Sequence, residues 1–207
     1  MAQARSRVSL YGLAGLPVTM GDDLRTLPPE RCGLLRRILP TVDIHPMDLS
    51  RKQRGTEYAL LNLAVCRRFG SWNVAAVTNF TAETLRLTLH LGADLRLDCG
   101  EGRRYAVCDY WNQSFLGLFA EALPLEVSPC DTAVLRITPF EGRPEIIFTS
   151  RHLTQGAVEL RDVRRTEDGS LSGTALCVPG EEWRMMVLLP EGWGLLGADS
   201  TIPMEIS

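Results

Sequence analysis

The chain has 207 residues, 45% of them apolar, and a formal net charge of −3 at pH 7. That length suits one large or two small domains with a real core. The mildly acidic balance gives no footing for nucleic acid, which attracts basic patches, and no apolar run approaches the roughly 18 residues of a membrane span, so neither partner is expected.

Arg5 and Arg7 precede a mixed stretch over residues 8–18. It is broken by Gly12, Gly15 and Pro17 and followed by acids rather than by a small-residue cleavage site, so it does not read as a secretion signal. A cytoplasmic location is the expectation. Residues 15–20 read as a short buried strand, and Gly21-Asp22-Asp23 as a polar turn after it. Pro28-Pro29-Glu30 opens a helix, because proline suits the first helical turn and an acid suits its positive end. Leu34, Leu35 and Ile38 fall on one face at helical spacing. Arg36 and Arg37 occupy the last turn, and Pro40 stops the helix. Residues 1–50 thus form one strand-loop-helix unit. A lone parallel strand needs neighbours, and no further β-α units follow, so this unit resembles the end of something larger.

Residues 41 to about 57 read as a linker rich in proline and charge. Period-two alternation then takes over. Trp72, Val74 and Ala76 alternate with Asn73, Ala75 and Val77, which predicts a strand apolar on both faces. Residues 84–91 place leucines on one face and polar groups on the other, the pattern of a sheet with one face in a core and one in water. Further strands are expected at 104–111, 114–119, 122–127, 132–138 and 144–148, separated by turn signals such as Gly100-Glu101-Gly102. Short strands at such spacing predict an antiparallel β-sandwich over residues 51–148. A small appended β region, residues 149–207, follows with strands at 157–165, 170–178 and 183–189. Asp168-Gly169 marks a hairpin turn between the first two of these. Residues 198–207 carry no usable pattern. The fold class is therefore mainly β.

Six cysteines at 32, 66, 99, 108, 130 and 177 form no C-x-x-C pair, and His45, His90 and His152 lie far from them in sequence. Metal-ligand spacing is lacking, and no metal or other cofactor is expected. Asn79-Phe80-Thr81 and Asn112-Gln113-Ser114 match the glycosylation acceptor pattern, which means little without a secretion signal.

Three places offer chemistry. Asp22 and Asp23 stand at the C-terminal end of the expected strand, where carboxylates can accept sugar hydroxyls. One of them can equally cap the turn while the other is solvated. Residues 149–156 (Thr-Ser-Arg-His-Leu-Thr-Gln-Gly) are a dense polar run. His152 there can act as acid or base, yet a joint between β units also needs such side chains to satisfy loose backbone groups. Trp72, Trp111, Trp183 and Trp193 are potential platforms for a pyranose, with core packing as the plainer role. Trp111 ends a strand in Tyr110-Trp111-Asn112 and is the best placed. Asp22, Asp23 and Trp111 are the substrate-binding candidates. No residue is assigned a catalytic role, since glycoside hydrolysis needs two opposed carboxyl groups and adjacent residues on one loop do not supply them.

Leu16-Pro17-Val18-Thr19-Met20-Gly21-Asp22-Asp23-Leu24-Arg25, then Pro29-Glu30-Arg31 and Leu34-Leu35, resembles the last barrel strand, loop and helix of α-galactosidase-like glycoside hydrolases of families 27 and 36. Gly21 stands where their motif usually has serine, and Pro28 where a serine opens the helix. Phe69-Gly70-Ser71-Trp72-Asn73-Val74 and Val77-Thr78-Asn79-Phe80-Thr81 resemble the first strands of the β-sandwich that follows the barrel. Asp109-Tyr110-Trp111-Asn112 and residues 149–156 resemble later landmarks. The resemblance spans roughly residues 10–195 and implies a (β/α)8 barrel end joined to an antiparallel β-sandwich. It also implies a retaining enzyme whose two catalytic aspartates lie on earlier barrel strands and have no counterpart here. The expected function is that of a C-terminal, non-catalytic region, inactive alone. It would be a gene fragment or one half of a split enzyme. The alternatives are a free-standing carbohydrate-binding β-sandwich and a module that docks on a separate catalytic chain or self-associates through its exposed strand and helix.

Overall fold

The computed structural model describes residues 1–53 and 56–206. Helices α1 (Ala2–Leu13) and α2 (Pro29–Arg36) come first, followed by the short strands β1 (Met47–Asp48) and β2 (Arg51–Gln53). Next come β3 (Thr56–Arg67), β4 (Gly70–Asn79), β5 (Leu85–His90), β6 (Arg104–Asp109), β7 (Ser114–Phe119), β8 (Ala122–Val127) and β9 (Thr132–Phe140). Strands β10 (Glu145–Thr149), β11 (Leu160–Arg165), β12 (Leu171–Ala175) and β13 (Met185–Leu188) complete the order.

The main sheet has seven strands in the order β1-β3-β4-β9-β6-β7, with β2 also paired to β3. Its pairings are antiparallel. The middle strands are buried on both faces, as the doubly apolar pattern of residues 72–77 predicts. On one face, Ala75, Val77, Tyr105, Val107, Leu135 and Ile137 meet the leucines of β5 and β8. Those two strands pair as a separate ribbon in which Leu85 opposes Val127 and Leu89 opposes Leu123. This ribbon is the second layer of the sandwich. Its outward residues, Arg86 and Glu126, form an exposed ion pair, which explains the clean one-sided alternation. On the opposite face, Trp72, Val74, Ala76, Ala106, Cys108 and Val134 pack with Leu13, Ile38, Phe148 and Leu153. Residues from all three expected stretches thus share one core.

Strands β7 and β8 cover the expected ranges residue for residue, and β5, β6, β9, β10 and the β11–β12 hairpin fall within a few residues of theirs. Gly169 sits in that hairpin turn at φ +88°, a conformation glycine adopts at no steric cost. Helix α2 forms where the proline and the apolar face place it, with Leu34 and Ile38 buried.

The N-terminal part differs from the expectation. Residues 15–20 form no strand and are largely exposed. A parallel strand without neighbours leaves its backbone groups unpaired, and the segment stays a solvated connection. Ahead of it stands α1, which the sequence reading did not foresee. Its anchors are polar: Arg5 pairs with Asp131, the Ser6 hydroxyl lies 2.7 Å from the Thr132 hydroxyl, and only Leu13 enters the core as a buried apolar residue. Such a helix shows little apolar periodicity.

The expected linker at 41–57 also carries structure. β1 and β2 pair along the outer edge of β3, and β3 itself begins at Thr56; residues 54 and 55 of that stretch, like Ser207 in the tail, lie outside the described residues. Strand β3 itself is not among the expected strands. Leu60, Leu61, Leu63, Ala64 and Val65 form a nearly continuous apolar run, and such a run does not distinguish strand from helix.

The acceptor-like Asn79 is an internal clasp. Its amide donates to the carbonyls of Glu83 at 2.7 Å and of Val127 and Ser128 at 3.1 Å, and its Oδ1 accepts from the Thr81 N–H at 2.9 Å. It holds the end of β4 to the start of the β5–β8 ribbon.

Truncating Leu89, which is fully buried between the layers, should cost about 2–5 kcal/mol. Truncating the half-exposed Leu116 on the edge strand β7 should stay within about 0.5 kcal/mol. Urea denaturation of L89A and L116A checks both values.

Candidate functional site

Asp22 and Asp23 lie in the exposed connection between α1 and α2. Asp23 closes a local turn: its Oδ1 accepts from the Arg25 N–H and Nε, both at 3.0 Å, and its Oδ2 from Arg25 Nη2 at 2.9 Å. The Arg25 side chain holds the Asp23 carboxyl below its ordinary value. Asp22 has no such partner among the described residues and faces solvent. Trp111 stands elsewhere, just past β6. Its ring meets the edge of Tyr110 at 5.0 Å, the Arg5 guanidinium lies 5.9 Å from the ring centre, and its indole N–H donates to Ser9 Oγ at 2.9 Å. Trp111 therefore ties α1 to the sheet. No hydrogen bond or ion pair joins it to either aspartate.

The polar run at 149–156 is almost wholly buried and works as a joint. Leu153 N–H donates to the Arg37 carbonyl at 2.8 Å, and Arg37 returns a bond to the Ser150 carbonyl at 2.5 Å. Tyr110 Oη also donates to that carbonyl, at 3.0 Å, and Trp72 Nε1 donates to the Thr154 carbonyl at 3.0 Å. These bonds tie α2 and the segment after β10 to the main sheet. His152 is clamped at both nitrogens. Nδ1 accepts from the Thr154 N–H at 3.1 Å, which leaves Nε2 to donate to the Pro40 carbonyl at 3.2 Å. Burial pushes its pKa below the ordinary 6.5, so the neutral ring is the native form.

Two charged residues at this joint escaped the sequence reading. Arg136 lies in the middle of β9 and is almost fully buried. It donates to the carbonyls of Gln155 and Ile146 and to Thr138 Oγ1, and it stacks over Trp72 at 4.2 Å from the ring centre. Burial pulls its pKa down to about 9, which leaves it charged at neutral pH. Glu159, 1% exposed, accepts from Thr149 Oγ1 and from the Gly156 N–H. The signal was present in Val134-Leu135-Arg136-Ile137-Thr138, where an arginine holds an inward position of a buried strand.

The other aromatic candidates diverge. Trp72 is core. Trp183 donates to Cys177 Sγ at 3.1 Å. Trp193 is half exposed and lies against the Gly169 turn. Among the described residues, no group of histidine, cysteine, aspartate and glutamate could hold a metal ion, and no helix is long and apolar enough to cross a membrane. The cysteines are free thiols. Burial pushes Cys108 up to about 12, far from a reactive thiolate.

No protein-family model matches the sequence, and no curated protein matches it in sequence. Solved structures do match in shape. A GH27 β-L-arabinopyranosidase from Geobacillus stearothermophilus superposes with a TM-score of 0.56 at 17% identity, over 69% of this chain and 31% of that one. α-Galactosidase I from Mortierella vinacea gives 0.52 at 15% identity, over 66% and 36%. The α-galactosidase of Saccharomyces cerevisiae gives 0.51 at 11% identity, over 67% and 43%. The fold is that of the C-terminal β domain of α-galactosidase-like enzymes. The chain spans about a third of the length of the first of these structures.

The clamped histidine gives the fold a pH signature. The unfolded chain takes up a proton at His152 near pH 6.5, whereas the native ring resists it. Stability from this residue is therefore complete above pH 6.5 and declines as the pH falls from there through the lowered native value. Denaturant melts between about pH 7.5 and about pH 5 should show that decline, and H152Q should flatten it.

Proposed function

We propose that this chain serves as the C-terminal, non-catalytic β region of an α-galactosidase-like glycoside hydrolase and turns over no glycoside alone. The single observation that carries this reading is the fold: a two-layer antiparallel sandwich matched to glycoside hydrolases of which it spans about a third. The placement of the aspartates supports it. Asp22 and Asp23 are sequence neighbours on a solvated connection, and Asp23 is already engaged by Arg25, whereas hydrolysis calls for two carboxyl groups opposed across the bond. Within this reading, Asp22 is the freest of the three substrate-binding candidates to accept a sugar hydroxyl. Asp23 and Trp111 shape the connection and the helix beside it. A cytoplasmic setting fits the six free thiols.

A docking role on a separate catalytic chain would use a different surface from the strand and helix first expected. The apolar face of α2 is covered, with Leu34 and Ile38 buried. The exposed apolar residues of the N-terminal part include Tyr11, Leu16, Met20 and Leu24, the last two close in sequence to the Asp22-Asp23 turn.

A second reading, a free-standing carbohydrate-binding module, rests on Trp193. Its ring is half exposed and braced by the Gly169 turn, and a braced indole face suits the C–H face of a pyranose.

Purified chain incubated with aryl α-galactosides and aryl β-L-arabinopyranosides should release no aryl alcohol above the buffer rate. Turnover that D22N or D23N abolishes would overturn the proposal. Tryptophan fluorescence titrated with oligosaccharides separates the second reading, since saturable quenching lost in W193A would select it.

A further inference from the structure

A cleft of about 470 Å³ opens where the turn of the β3–β4 hairpin meets β11. Four arginines line it, Arg67, Arg68, Arg143 and Arg165, together with Ser71, and among the described residues no carboxylate belongs to its wall. Such a concentration of positive charge is unexpected in a chain of net charge −3.

The partners of these arginines show how much of that charge is left over. Arg67 donates to the Ala157 carbonyl through Nε at 3.2 Å and Nη2 at 3.0 Å, and to the Cys66 carbonyl at 3.2 Å. Carbonyls fix a guanidinium in place without neutralising it. Arg68 occupies the two-residue turn and has no hydrogen-bond or ion-pair partner among the described residues. Arg165 lies deeper, with its side chain 19% exposed. It donates to the Phe69 carbonyl at 3.0 Å and pairs with Glu145, while its buried Nε–H has no partner. Arg143 shares the same Glu145 at 3.1 Å and takes Glu141 at 2.7 Å. Four cations thus meet two carboxylates, one of them spread between two arginines. The net charge of the cleft and its ion-pair partners is +2.

Fixed guanidinium forks suit planar or tetrahedral oxyanions, which accept paired N–H bonds, and a concave wall of one sign focuses its field into the cleft. We propose that this cleft binds an oxyanion of the phosphate, sulfate or carboxylate class, free or carried as the acidic group of a sugar. Arg165 and Arg67 form its fixed wall, Arg68 closes over the anion from the hairpin turn, and the Ser71 hydroxyl supplies a neutral donor at the rim. The site is independent of the neutral-sugar reading above.

The test is isothermal titration of the full chain with sodium phosphate and then sodium sulfate at low ionic strength. Saturable binding is expected, weakened at least about tenfold in R68E and again by added salt. Arg67 and Arg68 are exposed, so R68E and R67A should keep the native circular dichroism spectrum. The source of the anion is read by comparing inorganic phosphate with a hexose 6-phosphate. Tighter binding of the ester assigns a sugar-borne anion, and equal binding assigns a free one; either supports the site. No saturable binding of phosphate or sulfate, or binding that R68E and R67A leave unchanged, overturns it.

Discussion

One buried cation organises this fold. Arg136 sits on β9, the strand between β4 and β6, on the face that receives the helices and the segment after β10. A sheet can pair its own backbone groups, but the irregular chain laid across it cannot, and buried carbonyls without donors are costly. Arg136 supplies donors to two carbonyls of that crossing chain, Ile146 in β10 and Gln155 in the irregular segment after it, from a position that Trp72 and Thr138 hold rigid. The neighbouring carboxylates Glu145 and Glu159 lower the cost of keeping that charge out of water. A hydrophobic side chain would fill the same volume but would leave the crossing chain with nothing to bind.

Around that point the remaining polar contacts form a continuous seam. Trp72, Tyr110, Arg37 and His152 each engage a backbone carbonyl in the strip between α2 and the sheet. The dense polar run at 149–156 is thereby explained without chemistry. A histidine flanked by hydroxyls and an arginine suggests catalysis when read as a string, yet here both ring nitrogens are committed to the backbone and a neighbouring hydroxyl.

The β strands were largely legible in the sequence because most of them keep the two-residue rhythm imposed by a face in a core. β5 and β8 show it best, having one wet face, and their limits could be read almost to the residue. Legibility failed where that rhythm disappears for physical reasons. β3 carries apolar residues on both faces and loses its alternation. Helix α1 is held by Arg5, Ser6 and Ser9 rather than by an apolar stripe. The strand expected at 15–20 had the composition of one but no neighbours. Of the site candidates, the aspartates could be located in sequence but not the engagement of Asp23 by Arg25. Trp111 could be singled out, but its commitment to Ser9 could not, because that contact joins residues about a hundred positions apart. The four-arginine cleft was invisible for the same reason: its members come from the end of β3 and the turn after it, the loop before β10 and the end of β11.

The clasp made by Asn79 carries a practical consequence for producing this polypeptide. A eukaryotic secretory host scanning the nascent chain would read Asn79-Phe80-Thr81 as an attachment point for an oligosaccharide. The folded molecule has no amide to offer there, since that nitrogen already bonds three carbonyls on two neighbouring segments. A glycan added during translocation would have to arrive before β4 meets the ribbon, and once there it would hold the two layers apart. Bacterial cytosolic expression avoids that hazard without altering a single residue.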